Sequence, residues 1–84
     1  DDTHPELTKL AVAVIHDWES RLVSIIEEGK ASGEINNTVD PLKASQIMIT
    51  LLEGGMVLAK STGNNAYILQ AIEQVENTIE SLQG

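Results

Sequence analysis

Apolar residues in the middle of the chain recur at helical spacing between Asp40 and Lys60. They cover roughly 220° of the predicted helix, whereas a surface helix needs an apolar stripe of only about 100°. One side carries Ala44, Ile47, Leu51, Gly54 and Leu58, and the adjoining side carries Met48, Ile49, Leu52, Gly55, Met56 and Ala59. This middle helix is therefore expected to pack against two partners.

Capping residues predict where the middle helix begins and ends. Asp40 can accept the free N–H groups of the first turn, and Pro41 suits the first helical position, where no N–H is needed. Lys60 lies in the last turn, and Gly63 can supply a left-handed C-terminal cap.

A first helix is predicted to begin with a capping box of Thr3 and Glu6 and to end near Lys30 to Ser32, with Gly33 as its cap. Steps of three and four residues give it one continuous apolar face. That face consists of Leu7, Leu10, Ala11, Val14, Ile15, Trp18, Leu22, Ile25, Ile26 and Gly29.

A third helix is predicted to begin after Asn64 or Asn65, either of which can serve as its N-cap. Its apolar residues follow the four-three alternation of a short heptad seam. The seam consists of Ile68, Ile72, Val75, Ile79 and Leu82. No segment alternates like a strand, so the predicted fold class is all-α with three long helices.

Length and composition indicate one small domain that needs a partner. A chain of 84 residues buries little surface by itself, and without cysteine it has neither disulfides nor thiolate metal sites. Oligomerisation is the remaining stabiliser. The formal net charge is -8, and the five basic residues are spread singly along the chain, so this chain is not expected to bind nucleic acid.

One copy would not cover both the wide arc of the middle helix and the seam of the third. We therefore expect these two helices of two copies to form an intermolecular four-helix bundle around a two-fold axis. Gly54, Gly55 and Ala59 would let backbones approach closely, and the alternative for the glycine pair is a local weakness or kink in the helix. The predicted interface consists of Met48, Leu52, Gly55, Met56, Ala59, Ile68, Ile72, Val75 and Ile79.

Several short motifs follow one another along the chain, and each is explained by capping or packing. They are Pro5-Glu6-Leu7, Trp18 with Leu22, Glu28-Gly29, Gly33-Glu34-Ile35, Asp40-Pro41 with Ala44, Leu52-Glu53-Gly54-Gly55, Leu58-Ala59-Lys60, Leu69 and Ala71-Ile72. Their order and spacing together resemble the C-terminal part of TetR-type transcriptional repressors, from about Asp2 to Leu82.

This resemblance implies a regulator with an N-terminal helix-turn-helix domain, an all-helical effector-binding domain and dimerisation through the last two helices. Residues 1–84 would be the C-terminal part of the effector-binding and dimerisation domain, and the DNA-binding domain would lie outside this chain. The implied partners are a second copy and a small hydrophobic effector. Inward-facing candidates for the pocket wall are Val14, Trp18, Leu22, Ile47 and Leu51.

Other conspicuous residues favour plain structural roles. Trp18 is a core anchor or, alternatively, part of a pocket wall. His4 and His16 are too far apart to share a metal ion, and the glutamates lie on polar faces without a neighbouring nucleophile or phosphate-binding loop. No enzyme activity, cofactor or metal is predicted.

The sequence also predicts where the protein is located and limits its function to two hypotheses. No uninterrupted apolar run approaches the roughly 18 to 20 residues of a membrane span, so we expect a cytoplasmic protein without a membrane partner. Two functional hypotheses remain. The chain is either the ligand-responsive dimerisation module of a TetR-like repressor or a purely structural helical dimerisation module with no ligand.

Overall fold

The computed structural model describes residues 4–84 and contains three helices in this part of the chain. Helix α1 is Pro5–Ser32, α2 is Pro41–Thr62 and α3 is Ala66–Ser81. The described residues form no strand, only one isolated β-bridge. The predicted all-α class with three long helices is confirmed.

Both ends of α2 are capped as the sequence predicts. The Asp40 carboxylate accepts hydrogen bonds from the backbone N–H groups of Leu42 at 3.1 Å and Lys43 at 3.3 Å. At the other end Gly63 has a φ of 72°, and its N–H donates to the carbonyl of Ala59 at 2.9 Å. A left-handed φ suits glycine because it has no Cβ to collide with the backbone.

The remaining helix ends agree with the sequence where they are described. Gly33 closes α1 with a φ of 84°, as predicted. The Asn64 side chain accepts the N–H of Ala66 at 2.9 Å, whereas Asn65, at the N-cap position of α3, makes no side-chain cap bond. The predicted capping box of α1 includes Thr3, which lies outside the described residues, and His4 at the N-cap position makes no side-chain cap bond.

Replacing Asp40 with alanine should reduce the free energy of unfolding by about 1 kcal/mol, because two N–H groups of α2 lose their acceptor. Urea denaturation followed by circular dichroism measures this loss. Asp40→Asn keeps a side-chain oxygen and should stay close to the unmodified chain. Equal losses in the two variants would show that the charge of Asp40, rather than its hydrogen bonds, stabilises the helix.

Helix α2 lies between α1 and α3 and packs against both. The three helices form a flat layer with extents of 45 × 30 × 13 Å. Its radius of gyration is 14.9 Å, compared with about 12 Å expected for a compact domain of this length. Because stable domains are usually built from at least two packed layers, a single copy leaves apolar surface uncovered.

The core is small and lies where the three helices converge near the loop between α1 and α2. Ile26 of α1 packs with Ala44 and Met48 of α2, and Met48 is only 4% exposed. Partly buried residues of the loop, of α3 and of the segment after it surround this cluster: Ile35, Val39, Val75 and Leu82. Met48 is thus already buried within its own chain.

Gly55 is the point of closest approach between α2 and α3. A Cβ built on Gly55 would lie 2.7 Å from the Cβ of Ala71 and 3.1 Å from the carbonyl oxygen of Tyr67. A Cβ on the neighbouring Gly54 would meet nothing within 4 Å. The close packing predicted for the glycine pair therefore exists at Gly55, but it joins two helices of one chain.

Backbone hydrogen bonds tie the end of the chain to the loop between α1 and α2. The N–H of Asn36 donates to the carbonyl of Leu82 at 2.8 Å, and the N–H of Gly84 donates to Glu34 at 3.1 Å. Ile35 and Gln83 form the isolated bridge between these segments. This link holds the C-terminal end of α3 beside the C-terminal end of α1.

Helix α2 is long and apolar enough to cross a membrane, with a mean hydropathy of 1.3. A single helix of this kind is weak evidence for a span, because the central helix of a soluble domain has the same composition. The sequence expectation considered uninterrupted apolar runs, and Lys43, Glu53 and Lys60 interrupt α2. Packing against α1 and α3 accounts for part of the apolar character of α2, since 33% of its most apolar stretch is buried inside the chain.

Candidate functional site

An apolar face extends across all three helices and stays open in a single copy. On α1, Leu7 and Leu10 are each 61% exposed and Trp18 is 44% exposed. On α2 and α3, Met56 and Ile72 are also exposed. Single exposed apolar residues are ordinary, but a continuous apolar face on a small domain indicates a binding surface.

The centre of this face is a groove of about 350 Å³, which we call the central groove. All three helices contribute to it, and the atoms that it exposes are apolar. Trp18 comes from α1, and the residues from α2 recur at steps of three, one and three, which keeps them on one side of the helix. The full lining is Trp18, Ile49, Leu52, Glu53, Met56, Ile68 and Ile72.

A second groove of about 320 Å³ runs along the N-terminal half of α1, and we call it the α1 groove. Its lining is Leu7, Leu10, Ala11, Val14, Ile15, Trp18 and Glu53. Trp18 and Glu53 therefore line both grooves and mark the point where they meet. Because Trp18 is exposed there, it is not a core anchor in a single copy, and that interpretation is wrong for this chain.

The five residues predicted for the pocket wall are not brought together. Val14 and Trp18 line the α1 groove, whereas Ile47 and Leu51 line a separate shallow groove with Lys43, Gln46 and Thr50. Leu22 is partly buried and lines neither groove. Ile47 is five residues from Leu52, which turns it by about 140° around α2, away from the central groove.

The nine residues predicted for the dimer interface fall into two groups, one on the open apolar face and one buried or partly buried inside the chain. Leu52, Met56, Ile68 and Ile72 line the central groove, and Ile79 is exposed further along α3. Met48 and Gly55 are buried inside the chain, and Ala59 and Val75 are partly buried. Trp18 shares the central groove with four interface candidates, so the two predicted sites overlap.

Glu53 and Ile49 are the residues of the central groove that the sequence did not assign to a site. In the α1 groove the unassigned residues are Leu7, Leu10, Ala11 and Ile15. Glu53 is charged, yet it lies four residues after Ile49 and three before Met56. Those are the spacings of one helix face. The spacing alone therefore predicts that Glu53 shares a helix face with Ile49 and Met56, but a charged residue is not expected in an apolar groove.

The central groove offers apolar contact rather than reactive chemistry, because every atom that it exposes is apolar. Among residues 4–84, no group of three or more His, Asp or Glu side chains lies close enough to hold a metal ion. His16 and the glutamates Glu73, Glu76 and Glu80 are exposed. The grooves are therefore suited to binding an apolar molecule or an apolar protein surface.

The comparisons agree with this geometry. Residues 1–75 match the family model described as "Tetracyclin repressor-like, C-terminal domain". The chain is also similar to the crystal structure of a TetR-family transcriptional regulator from Cytophaga hutchinsonii, with 35% identity and a TM-score of 0.87. That match covers 99% of this chain and 42% of the regulator. A comparison with curated proteins found no match.

A family model that matches most of the chain and a regulator that superposes over nearly all of it identify the same family. The chain spans less than half the length of that regulator, and what it matches is the C-terminal domain. The chain belongs to the TetR family of transcriptional regulators.

Proposed function

We propose that this chain is the ligand-responsive dimerisation module of a TetR-like transcriptional repressor in the cytoplasm. A helix-turn-helix domain outside these 84 residues binds DNA, and a small apolar effector relieves that binding. Residues 1–84 are then the C-terminal part of the effector-binding and dimerisation domain. The net charge of -8 on this part supports a division of labour in which it does not itself contact DNA.

The observation that carries the proposal is the apolar face that one copy leaves open, with the central groove at its middle. Burying such a surface is favourable, at roughly 25 cal/mol per Å² of apolar area. A small hydrophobic molecule and a second protein copy both supply this burial. In the proposal the two occupants share the face, with the effector inside the central groove and the second copy covering that groove from outside.

A second copy covers the part of the face formed by α2 and α3. Met56, Ile72 and Ile79 are exposed there and project from two neighbouring helices. Two such pairs of helices related by a two-fold axis make an intermolecular four-helix bundle. The second copy then covers the central groove, and the effector enters through the α1 groove.

An effector at the meeting point of the grooves contacts Trp18 of α1, Leu52 of α2 and Ile72 of α3. Its binding free energy therefore depends on the relative positions of all three helices. A molecule that binds one arrangement better than another shifts the population towards it. Through the dimer, that shift changes the separation of the two DNA-binding domains.

Thermal melting with a panel of small hydrophobic compounds tests the effector. A compound that binds only the folded chain should raise the melting temperature, and at a hundred times its dissociation constant it adds about 2.7 kcal/mol. Trp18→Ala should abolish the shift, whereas His16→Ala, outside both grooves, should keep it. If no compound raises the melting temperature of the chain or of the whole protein, the effector proposal fails.

The alternative is a purely structural dimerisation module. It is favoured by the presence of four predicted interface residues in the central groove, since the partner's side chains could fill that groove completely. A stable dimer that melts at the same temperature with every compound would support this alternative.

A further inference from the structure

We propose that the pairing between the α1–α2 loop and the segment after α3 is a conformational clamp, which makes the C-terminal ends of α1 and α3 move together. The clamp consists of residues 34–36 of the loop and residues 82–84. This inference goes beyond the proposed function, because the clamp needs neither an effector nor a second copy.

Helices α1 and α3 depend on other segments for their relative position. Each packs against α2, but within residues 4–84 no Cα atom of α1 lies within 8 Å of a Cα atom of α3. Leu82 also packs against the core cluster that contains Ile26 of α1. The clamp adds backbone hydrogen bonds to this apolar contact, and hydrogen bonds fix direction as well as distance.

The clamp has the geometry of a short antiparallel pair. Its two backbone hydrogen bonds, of 2.8 and 3.1 Å, lie on either side of the facing residues Ile35 and Gln83. Ile35 and Gln83 therefore form a pair of the non-hydrogen-bonded type, in which the Cα atoms are about 4.5 Å apart.

Each half of the clamp is fixed to its helix. On the α1 side, the N–H of Ile35 donates to the carbonyl of Gly29 at 3.0 Å. A Cβ built on Gly29 would lie 2.5 Å from Cδ1 of Ile35, so the loop lies directly on the α1 backbone. On the α3 side, the N–H of Leu82 donates to the carbonyl of Ile79 at 3.1 Å. A displacement of one helix end therefore carries the other with it.

The opposite end of α1 is not held in this way. Residues 4–14 are all exposed, and α1 first becomes partly buried at Ile15. The helix rises about 36 Å from Gly29 to Pro5, so a rotation of about 5° at the clamp moves Pro5 by about 3 Å. Helix α1 is thus a lever with its pivot at the clamp. Ile79 lines a groove with the clamp residues, so movement of the lever reaches that part of α3.

A disulfide across the clamp tests the proposal in the complete chain. The chain has no cysteine, and facing residues of a non-hydrogen-bonded pair are close enough for a disulfide. Ile35→Cys combined with Gln83→Cys should therefore form one on mild oxidation. Hydrogen exchange is compared between the oxidised and reduced forms of this variant, since both lack the Ile35 side chain. Oxidation should slow exchange at least fivefold in the last two turns of both α1 and α3.

Gly84→Pro tests the open clamp, because proline has no N–H to donate to the carbonyl of Glu34. Hydrogen exchange should become at least threefold faster at both helix ends. Gln83→Ala is the matched control, because it shortens a clamp side chain but keeps both backbone hydrogen bonds. Its exchange should stay within 1.5-fold of the unmodified chain.

Two outcomes would overturn the inference. If oxidation and Gly84→Pro change exchange only in α3, the pairing supports one helix end and does not couple two. If the two cysteines form no disulfide, the pairing itself is contradicted. Neither outcome bears on the proposed effector or dimer, which are tested by the melting temperature and by the mass in solution.

Discussion

Replacing Gly55 with alanine is expected to lower the free energy of unfolding by about 1 to 3 kcal/mol, the usual cost of overpacking a well-packed contact. The added Cβ would lie 2.7 Å from the Cβ of Ala71 and 3.2 Å from the Cα of Ile68. Both atoms are held by the α3 backbone, so the helices must separate. Urea denaturation of the single variant measures the loss.

Gly54→Ala is the matched control for this experiment. It changes the adjacent residue of the same helix, but its Cβ would meet nothing within 4 Å. Alanine is favoured over glycine in a helix by up to about 1 kcal/mol, so this variant should be more stable than the unmodified chain. If Gly55→Ala is as stable as Gly54→Ala, the close approach of α2 and α3 at Gly55 is contradicted.

Replacing Ile72 with glutamate is expected to weaken dimerisation by about a hundredfold or more, since it places an unpaired charge in the proposed interface. Ile72 is 43% exposed in a single copy, so the monomer should still fold. Ile79→Glu should act in the same direction. Sedimentation velocity across a concentration series measures the change, with circular dichroism confirming the helical content.

Leu69→Glu introduces the same kind of charge on the same helix and serves as the control. Leu69 is 63% exposed and lines neither the central groove nor the α1 groove. This variant should dimerise like the unmodified chain. A dimer that survives both Ile72→Glu and Ile79→Glu would place the interface elsewhere.

The helix ends were predictable because they depend on local chemistry. Asp40 caps its own helix through neighbouring N–H groups, and Gly33 and Gly63 adopt the left-handed conformation that ends a helix. These interactions join residues a few positions apart. Sequence alone therefore places the helices and their ends with little reference to the rest of the fold.

Which residues of α2 contact α1, α3 or a partner could not be predicted in the same way. Periodicity gives the angle of each residue around its own helix, but it does not say where α1 and α3 lie. Periodicity therefore predicts that Met48 and Gly55 face a partner, although the chain buries both itself. It also predicts that Ile47 and Leu51 share a pocket with Trp18, although α2 turns them towards a different groove.

Two further features depend on contacts between distant segments. The link between Asn36 and Leu82 is made by backbone groups, which leave no side-chain signature in the sequence. Glu53 has the helical spacing to Ile49 and Met56 that places it on their side of α2. Because Glu53 is charged, the sequence does not predict it on an apolar face. Its position at the junction of two apolar grooves appears only once α1 is packed against α2.

The mass of the unmodified chain in solution tests the proposed module most directly. Sedimentation equilibrium at micromolar concentration should give twice the mass of one chain, because the apolar face across α2 and α3 needs a second copy to cover it. A monomer at that concentration, with the helices intact by circular dichroism, would contradict the proposal that this chain dimerises through its last two helices.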